Sequence, residues 1–343
     1  MKSTIYLPRP VYFVAHASVA GKHENDGPLG GGFDITDPTD TDKFGAETWE
    51  SAEGEMQRLA LSSALKKADL SDADVSLVFA GDLQNQCVGS AYGLLGFDIP
   101  YCGLYGACST SAEGLLLSSL ISSAYGLTTA AVASSHNCAA ERQFRYPVEY
   151  GGQRSPTSQW TVTGAGAFIL SSDESYVASP CVTEVLPGRS FDRGVNDLNN
   201  MGAAMAPAAV DTLCRYFDET GHAPDDFDLI VTGDLGAEGS RILCEFMSAA
   251  GHDIRSRHCD CGLLIYDRDG SDKHAGGSGC GCSAAVLSAS LLPRMGTELH
   301  DILFTATGAM MSPASVQQGN SIPAICHLLR ICTPERSKNG QNH

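Results

Sequence analysis

The segment Asp74-Val75-Ser76-Leu77-Val78-Phe79-Ala80-Gly81-Asp82-Leu83 recurs in the second half of the chain as Asp226-Phe227-Asp228-Leu229-Ile230-Val231-Thr232-Gly233-Asp234-Leu235. Each copy is a short apolar run that stops at Gly-Asp, so each reads as a buried strand ending in a turn. A helical pattern precedes each, Trp49 to Lys67 and Met201 to Phe217, the second with Asp211 and Arg215 one turn apart. A small-residue turn and another helix follow. In the first half that turn is the Cys108 segment, and in the second it is Gly276 to Ala284, feeding the apolar stretch Ala285 to Leu292. Both helices lead into a further strand, at 130–134 and 302–307. Duplicated strand–helix units predict an α/β chain of two similar halves, whose mixed sheets pack face to face through helices and whose sites lie where the halves meet. We place the halves at 1–175 and 176–335, followed by a polar, frayed tail over 336–343. A chain of 343 residues, 43% of them hydrophobic, is long enough for two halves to share one core.

The run Tyr105-Gly106-Ala107-Cys108-Ser109-Thr110-Ser111-Ala112-Glu113 sets a cysteine at the mouth of a helix. Residues 99–104 before it are short and apolar and read as a buried strand. After it, Leu115, Leu116, Leu117, Leu120, Ile121 and Ala124 form the apolar face of a helix ended by Gly126. Thr110 and Glu113 have the spacing of a capping box. The free N–H groups and partial positive charge of such a first turn favour a thiolate or a bound carboxylate. The same residues therefore fit a nucleophile or a ligand cradle, while a cysteine buried for packing alone is the third reading.

The net charge of −18 argues against general binding to nucleic acid or to bare anionic lipid, so an anionic ligand has to be held by local donors. The 13 cysteines are odd in number and scattered, and no amino-terminal run reads as a secretory signal, so a reducing interior is expected. Apolar runs fall short of the roughly 18 residues of a membrane span. Cys259-Asp-Cys261 and Cys280-Gly-Cys282, with His258 and His274 nearby, have the wrong spacing for zinc, and on one strand face Cys259 and Cys261 need be no more than two small apolar side chains. The turn Gly276–Gly281 lacks the Lys-Ser/Thr of a phosphate loop. From His16 to Gly45 the chain is glycine-rich and acidic and reads as a long surface loop. Its Asp34, Asp37, Asp40 and Asp42 lack calcium-loop spacing.

Several longer runs carry a family likeness: Gly27-Pro28-Leu29-Gly30, Ala80 to Gln86, Tyr105 to Ser111, Ser134 to Asn137, Glu141 to Pro147, Glu149 to Gly151, Trp160 to Ala167, Asn200 to Ala209, Thr232 to Gly236, Gly276 to Cys280 and Thr307 to Ala309. Over nearly its whole length the sequence resembles the stage V sporulation protein AD family of spore-forming Firmicutes. The resemblance implies a thiolase-like αβαβα layered fold with internal pseudo-two-fold duplication. It further implies a homodimer that pairs across the edge of strand 130–134, and a protein without enzymatic activity or cofactor. Such a protein binds dipicolinic acid, free or as its calcium chelate, for uptake into the developing spore. Its implied place is peripheral on the spore inner membrane, beside membrane-embedded channel subunits and with no nucleic acid partner.

Acyl-transfer enzymes of this fold need more than a cysteine, since a histidine and a second polar group must polarise the carbonyl and handle the proton. By resemblance, Cys108 holds the nucleophile position. The strand end that carries a histidine in ketoacyl synthases reads Thr-Gly-Asp-Leu-Gly here, at 232–236, and the later glycine-rich turn reads Gly-Gly-Ser-Gly-Cys-Gly-Cys. A thiolase or ketoacyl-synthase-type acyltransferase using Cys108 is the alternative function, with Cys280 or Cys282 as acid/base group. The expected ligand contacts are Cys108, Ser109, Thr110, Ser135, His136, Asn137, Asp234 and Ser278, with no metal. Arg142, Arg145 and Arg154 are a basic concentration suited to carboxylates, but ion pairs with Glu141 and Glu149 are the preferred account, and the three stay outside the expected ligand contacts.

Overall fold

The computed structural model describes residues 3–144, 154–269 and 271–334. Five strands of the first half are β1 (Ile5–Ala20), β2 (Leu77–Gly81), β3 (Tyr101–Leu104), β4 (Thr129–Ser135) and β5 (Gly164–Ser171). Five of the second are β6 (Cys181–Leu186), β7 (Leu229–Thr232), β8 (His258–Asp260), β9 (Asp301–Ala309) and β10 (Ala324–Cys332). The first half runs β3-β2-β4-β5-β1 and the second β8-β7-β9-β10-β6. Directions also repeat: the first three strands of each order are parallel and the last two pair antiparallel. The repeated segments occupy equivalent places, β2 and β7.

The halves are not separate sheets, because β1 also pairs antiparallel with β6 and the ladder runs on across the molecule. Its register breaks between Tyr6 and Val11, where Pro8 and Pro10 withhold N–H donors. Helices make the layers. α1 (Trp49–Ala68) covers the outer face of the first half, and α4 (Met201–Thr220) with α5 (Gly236–Ala249) covers that of the second. Between the halves lie α3 (Thr110–Tyr125) and α6 (Cys280–Val286), and α3 touches strands of both. A helix pressed by strands on two sides needs small residues all round, which is why Ser111, Gly114, Ser118, Ser119 and Ser122 of α3 are buried beside its leucines. Three large apolar clusters result among the described residues, one in the middle and one under each outer layer, with a small fourth around Tyr12, Cys181 and Cys332.

Three expectations are corrected here. Residues 101–104 form the outer edge of the first half, with Cys102 exposed, rather than a buried strand. Strand 129–135, expected as a dimer edge, lies inside the ladder between β2 and β5. The segment from His16 is no surface loop at its start: β1 continues to Ala20, and a helical turn, Lys22–Asn25, follows. Of the four aspartates in the loop, Asp37 is buried and accepts from Thr39 and Phe44, Asp34 pairs with Lys67, Asp40 with Lys22, and Asp42 accepts from the Lys22 N–H.

That turn buries Glu24, which accepts from Tyr266 Oη of the other half and from Thr163 N (3.1 Å), while Oε2 has no partner. Burial, only partly offset by these bonds, pushes its carboxyl up to about 7. The folded state therefore keeps a proton that the unfolded chain releases near 4.5. Its stabilising effect is complete below that value and is lost as pH rises through about 7. Urea midpoints at about pH 5 and about pH 8 should show the wild type losing roughly 2–3 kcal/mol more than Glu24→Gln. Parallel pH curves for the two proteins would rule this out.

Candidate functional site

Leaving β3 at Leu104, the chain reaches Cys108 through a turn in which Ala107 has a φ of 52°, a left-handed conformation that a Cβ makes costly. Its own polar groups lock the turn. Ser109 N and Oγ both donate to Gly106 O (3.1 and 2.6 Å), and Thr110 Oγ1 donates to Ala107 O (2.7 Å) while accepting from Gly106 N (3.0 Å). The Thr110–Glu113 capping box is thus not formed, and Ser109 and Thr110 spend their hydroxyls on shape. Strand β9 passes alongside so closely that a Cβ on Gly308 would lie 2.1 Å from Gly106 O.

The two turns of the second half meet this cysteine. Cys108 Sγ lies 3.7 Å from Ser278 Oγ, which donates to Asp234 Oδ2 (3.0 Å). Gly279 N donates to the same oxygen (2.8 Å), and Thr307 Oγ1 reaches Oδ1 (3.4 Å). Asp234 is fully buried. Burial raises its carboxyl, and its donors, Gly279 N and the Cys108, Ser278 and Thr307 side chains, pull it back. Burial first, and the Asp234 charge second, push the Cys108 thiol well above the ordinary cysteine value. The helix start was expected to favour a thiolate. Burial, reinforced by the acid beside Cys108, overrides it.

A cavity of about 350 Å³ opens over Cys108 and Ser278. Its walls are Leu83, Tyr105, Ala107 and Met201, and its roof is the chain leaving β9, from Ala309 through Met310, Met311 and Pro313 to Ser315. Among the described residues no Lys, Arg or His lines it. The roof and Met201 were missed as contacts, although the likeness included Thr307–Ala309 and Asn200–Ala209, which lead into both. Methionine carries no chemical signature in sequence.

Ser135, His136 and Asn137 lie outside the lining. Ser135 Oγ donates to Val162 O (2.7 Å), His136 Nε2 to Asp42 O (2.8 Å), and Asn137 Nδ2 to Thr161 O (3.0 Å). These three polar groups at the end of β4 tie loops together. Arg154 makes an ion pair with Glu141 (2.7 Å) and lies over the Trp160 ring. Arg145, the side chain of Arg142 and the tail 336–343 fall outside the described residues. Cys280 and Cys282 are fully buried, their thiols directed to Ser134 O (2.9 Å) and Gly233 O (3.7 Å), and neither lines the cavity. Cys259 and Cys261 do not share a strand face, since β8 ends at Asp260 and Cys261 opens a helical turn.

The fold recurs in solved structures of OleA from Xanthomonas campestris. One variant superposes with a TM-score of 0.61 at 15% identity, covering 96% of this chain and 100% of that one. A cerulenin-bound form also gives 0.61, at 12% identity over 94% and 96%. At such identities the likeness carries the thiolase fold alone. Sequence goes further. The stage V sporulation protein AD of Bacillus subtilis (strain 168) is 40% identical over 328 residues, 95% of each chain. The sequence profile described as "Stage V sporulation protein AD" matches residues 1–332, so this thiolase-fold chain, with an acid and a serine facing its cysteine, belongs to the stage V sporulation protein AD family of sporulation proteins.

Proposed function

We propose that this protein binds dipicolinic acid without turning it over, taking the calcium chelate in the Cys108 cavity, and presents it to membrane-embedded channel subunits for uptake into the developing spore. The observation that carries this proposal is the pair facing the cysteine. In place of the histidine that acyl transfer needs, Asp234 and Ser278 face the cysteine, and burial, reinforced by the Asp234 charge, pushes the thiol well above the ordinary cysteine value. A cavity of about 350 Å³ with apolar walls is at the small end of ligand pockets and suits a single aromatic ring. A buried acid directly behind the Ser278 wall and no cationic side chain among its described walls disfavour a free dianion and favour a ligand whose charge calcium has cancelled. Among the described helices none is long and apolar enough to cross a membrane, which agrees with a peripheral place at the spore inner membrane.

Calorimetry with calcium dipicolinate and with the free acid tests this, alongside thiol release from acetyl-CoA. Heat with the chelate and no turnover is expected. Silence with both forms would remove the binding function, and steady release that depends on Cys108 would establish the acyltransferase alternative.

A homodimer belongs to the same proposal. Among the described strands β3 ends the ladder with an unpaired edge, and the first half also exposes Tyr105 (42%), next to that strand in sequence, and, on α2 (Val88–Gly93) and just after it, Tyr92 (68%) and Leu95 (77%). Sedimentation equilibrium at micromolar concentration should give a dimer, and Leu95→Asp combined with Tyr92→Asp a monomer. A wild type that stays monomeric would count against the pairing.

A further inference from the structure

Neither Asp234 nor Ser278 holds its own place, because each sits on a turn at the tip of a short element, and the two turns belong to separate segments. Besides the bonds of the Asp234 carboxylate to Ser278 and Gly279, a second buried side chain joins the two turns through their backbones. Gln159 Nε2 donates to Asp234 O (2.6 Å) and to Gly277 O (2.9 Å), the backbones directly carrying Asp234 and directly preceding Ser278. Gln159 is 3% exposed, and the turn is fitted around it: Gly236, with a φ of 64°, has no room for a Cβ, which would meet Ala275 O at 2.3 Å and Gln159 Nε2 at 2.9 Å.

The far end of the strut is anchored. Trp160 N donates to Gly276 O (2.9 Å), and the short strand Trp160–Thr161 runs parallel to Gly277–Ser278, with Thr161 opposite Ser278. Arg154 donates to Gln159 O (2.9 Å) and pairs with Glu141, whose Oε1 also accepts from Thr161 N (3.2 Å) and Asn137 Nδ2 (3.4 Å). Asn137, expected as a ligand contact, and Arg154, expected in an ion pair with Glu141, thus hold the strand that holds the cavity floor.

We propose that Gln159 is the positioning residue of the site, its amide clamping the Asp234 and Gly277 backbones so that the Asp234 carboxylate stays against Cys108 and Ser278. A buried amide needs partners, but packing alone does not require both to lie on the two site-bearing turns. Its importance for ligand rests on the Cys108 cavity being the binding site proposed above. Its effect on the thiol does not.

The test is the pH profile of Cys108 alkylation by iodoacetamide in the free protein, read by mass spectrometry of the Cys108 peptide. Asp234→Asn removes the charge that raises the thiol and should lower the midpoint by about one pH unit, or roughly tenfold in rate below the midpoint. Gln159→Met should lower it in the same direction, and the double variant should lie no further than Asp234→Asn alone, because both act through one carboxylate. Simple loosening of the fold would raise the limiting rate at high pH without this shared shift. Gln159→Glu, which keeps the volume but turns an acceptor toward the two carbonyls, serves if circular dichroism shows the methionine variant unfolded. A midpoint that Gln159 variants leave unchanged, or shifts that add to that of Asp234→Asn, would overturn the assignment. Loss of calcium dipicolinate binding in the wild type bears on the function alone, since alkylation needs no ligand.

Discussion

Replacing Arg330 by alanine should cost the fold about 3–5 kcal/mol, the range for breaking a buried ion pair from one side. Arg330 lies in β10, 8% exposed. Its guanidinium donates to both oxygens of Asp301 (3.0 and 2.7 Å) and to Glu184 Oε1 (2.5 Å), while Tyr216 Oη donates to Glu184 Oε2 (2.7 Å). Glu184 and Asp301 belong to the neighbouring strands β6 and β9, so one cation spans three strands of the second half. Truncation leaves two carboxylates, both under 5% exposed, facing each other without a counter-charge. A lysine restores the charge but not the two-pronged geometry and should recover only part of the loss. Thermal unfolding should show a fall of roughly 5–10 °C for Arg330→Ala. A loss under about 1 kcal/mol would mean that water or a rearranged side chain compensates both acids, and the network would then be a minor support.

Asp234→Asn should improve binding of free dipicolinate about tenfold or more at neutral pH while changing the calcium chelate far less. Two unit charges about 4 Å apart interact with about 4 kcal/mol at the effective dielectric of a protein surface. A third of that, roughly 1.4 kcal/mol, is already tenfold in affinity. The asparagine keeps one acceptor oxygen for Ser278 Oγ or Gly279 N, so the floor retains part of its bonding, and the residual cost falls on both ligand forms alike. The ratio of the two affinities, from calorimetry with a calcium chelator present or absent, isolates the charge. An unchanged ratio would show that the ligand's carboxylates do not approach Asp234.

Neither effect can be read from the linear chain. Arg330, Glu184 and Asp301 are distant in sequence, and their meeting depends on which strands become neighbours. Asp234 was noticed because it ends a repeated segment, but its repeat partner Asp82 does a different job, accepting from Ser90 N and Oγ and from Gln84 N at the start of α2. The same Gly-Asp-Leu strand end thus yields a helix-start acceptor in one half and the acid beside Cys108 in the other. The difference lies in what each turn meets across the molecule.

The sequence by itself determined the duplication of strand–helix units, the positions of helices α1, α3 and α4, and the three turns that carry Cys108, Asp234 and Ser278. Those follow from periodicity, turn-forming residues and repetition, which act over a few residues and survive in any context the chain can adopt. Helix α5 and the joining of the two halves into one ladder were not legible in the sequence. Tertiary structure alone decided that residues 101–104 form an edge while 129–135 lie inside, that Met310, Met311 and Pro313 roof the cavity, and that Ser135, His136 and Asn137 are spent on neighbouring loops. It also decided the protonation of Cys108. A helix start by itself would favour the thiolate, but burial of the thiol, reinforced by a carboxylate brought in from the other half of the chain, outweighs that partial charge, because an anion loses its hydration in a dry site and a full negative charge acts more strongly there than a half-charge shared along a turn.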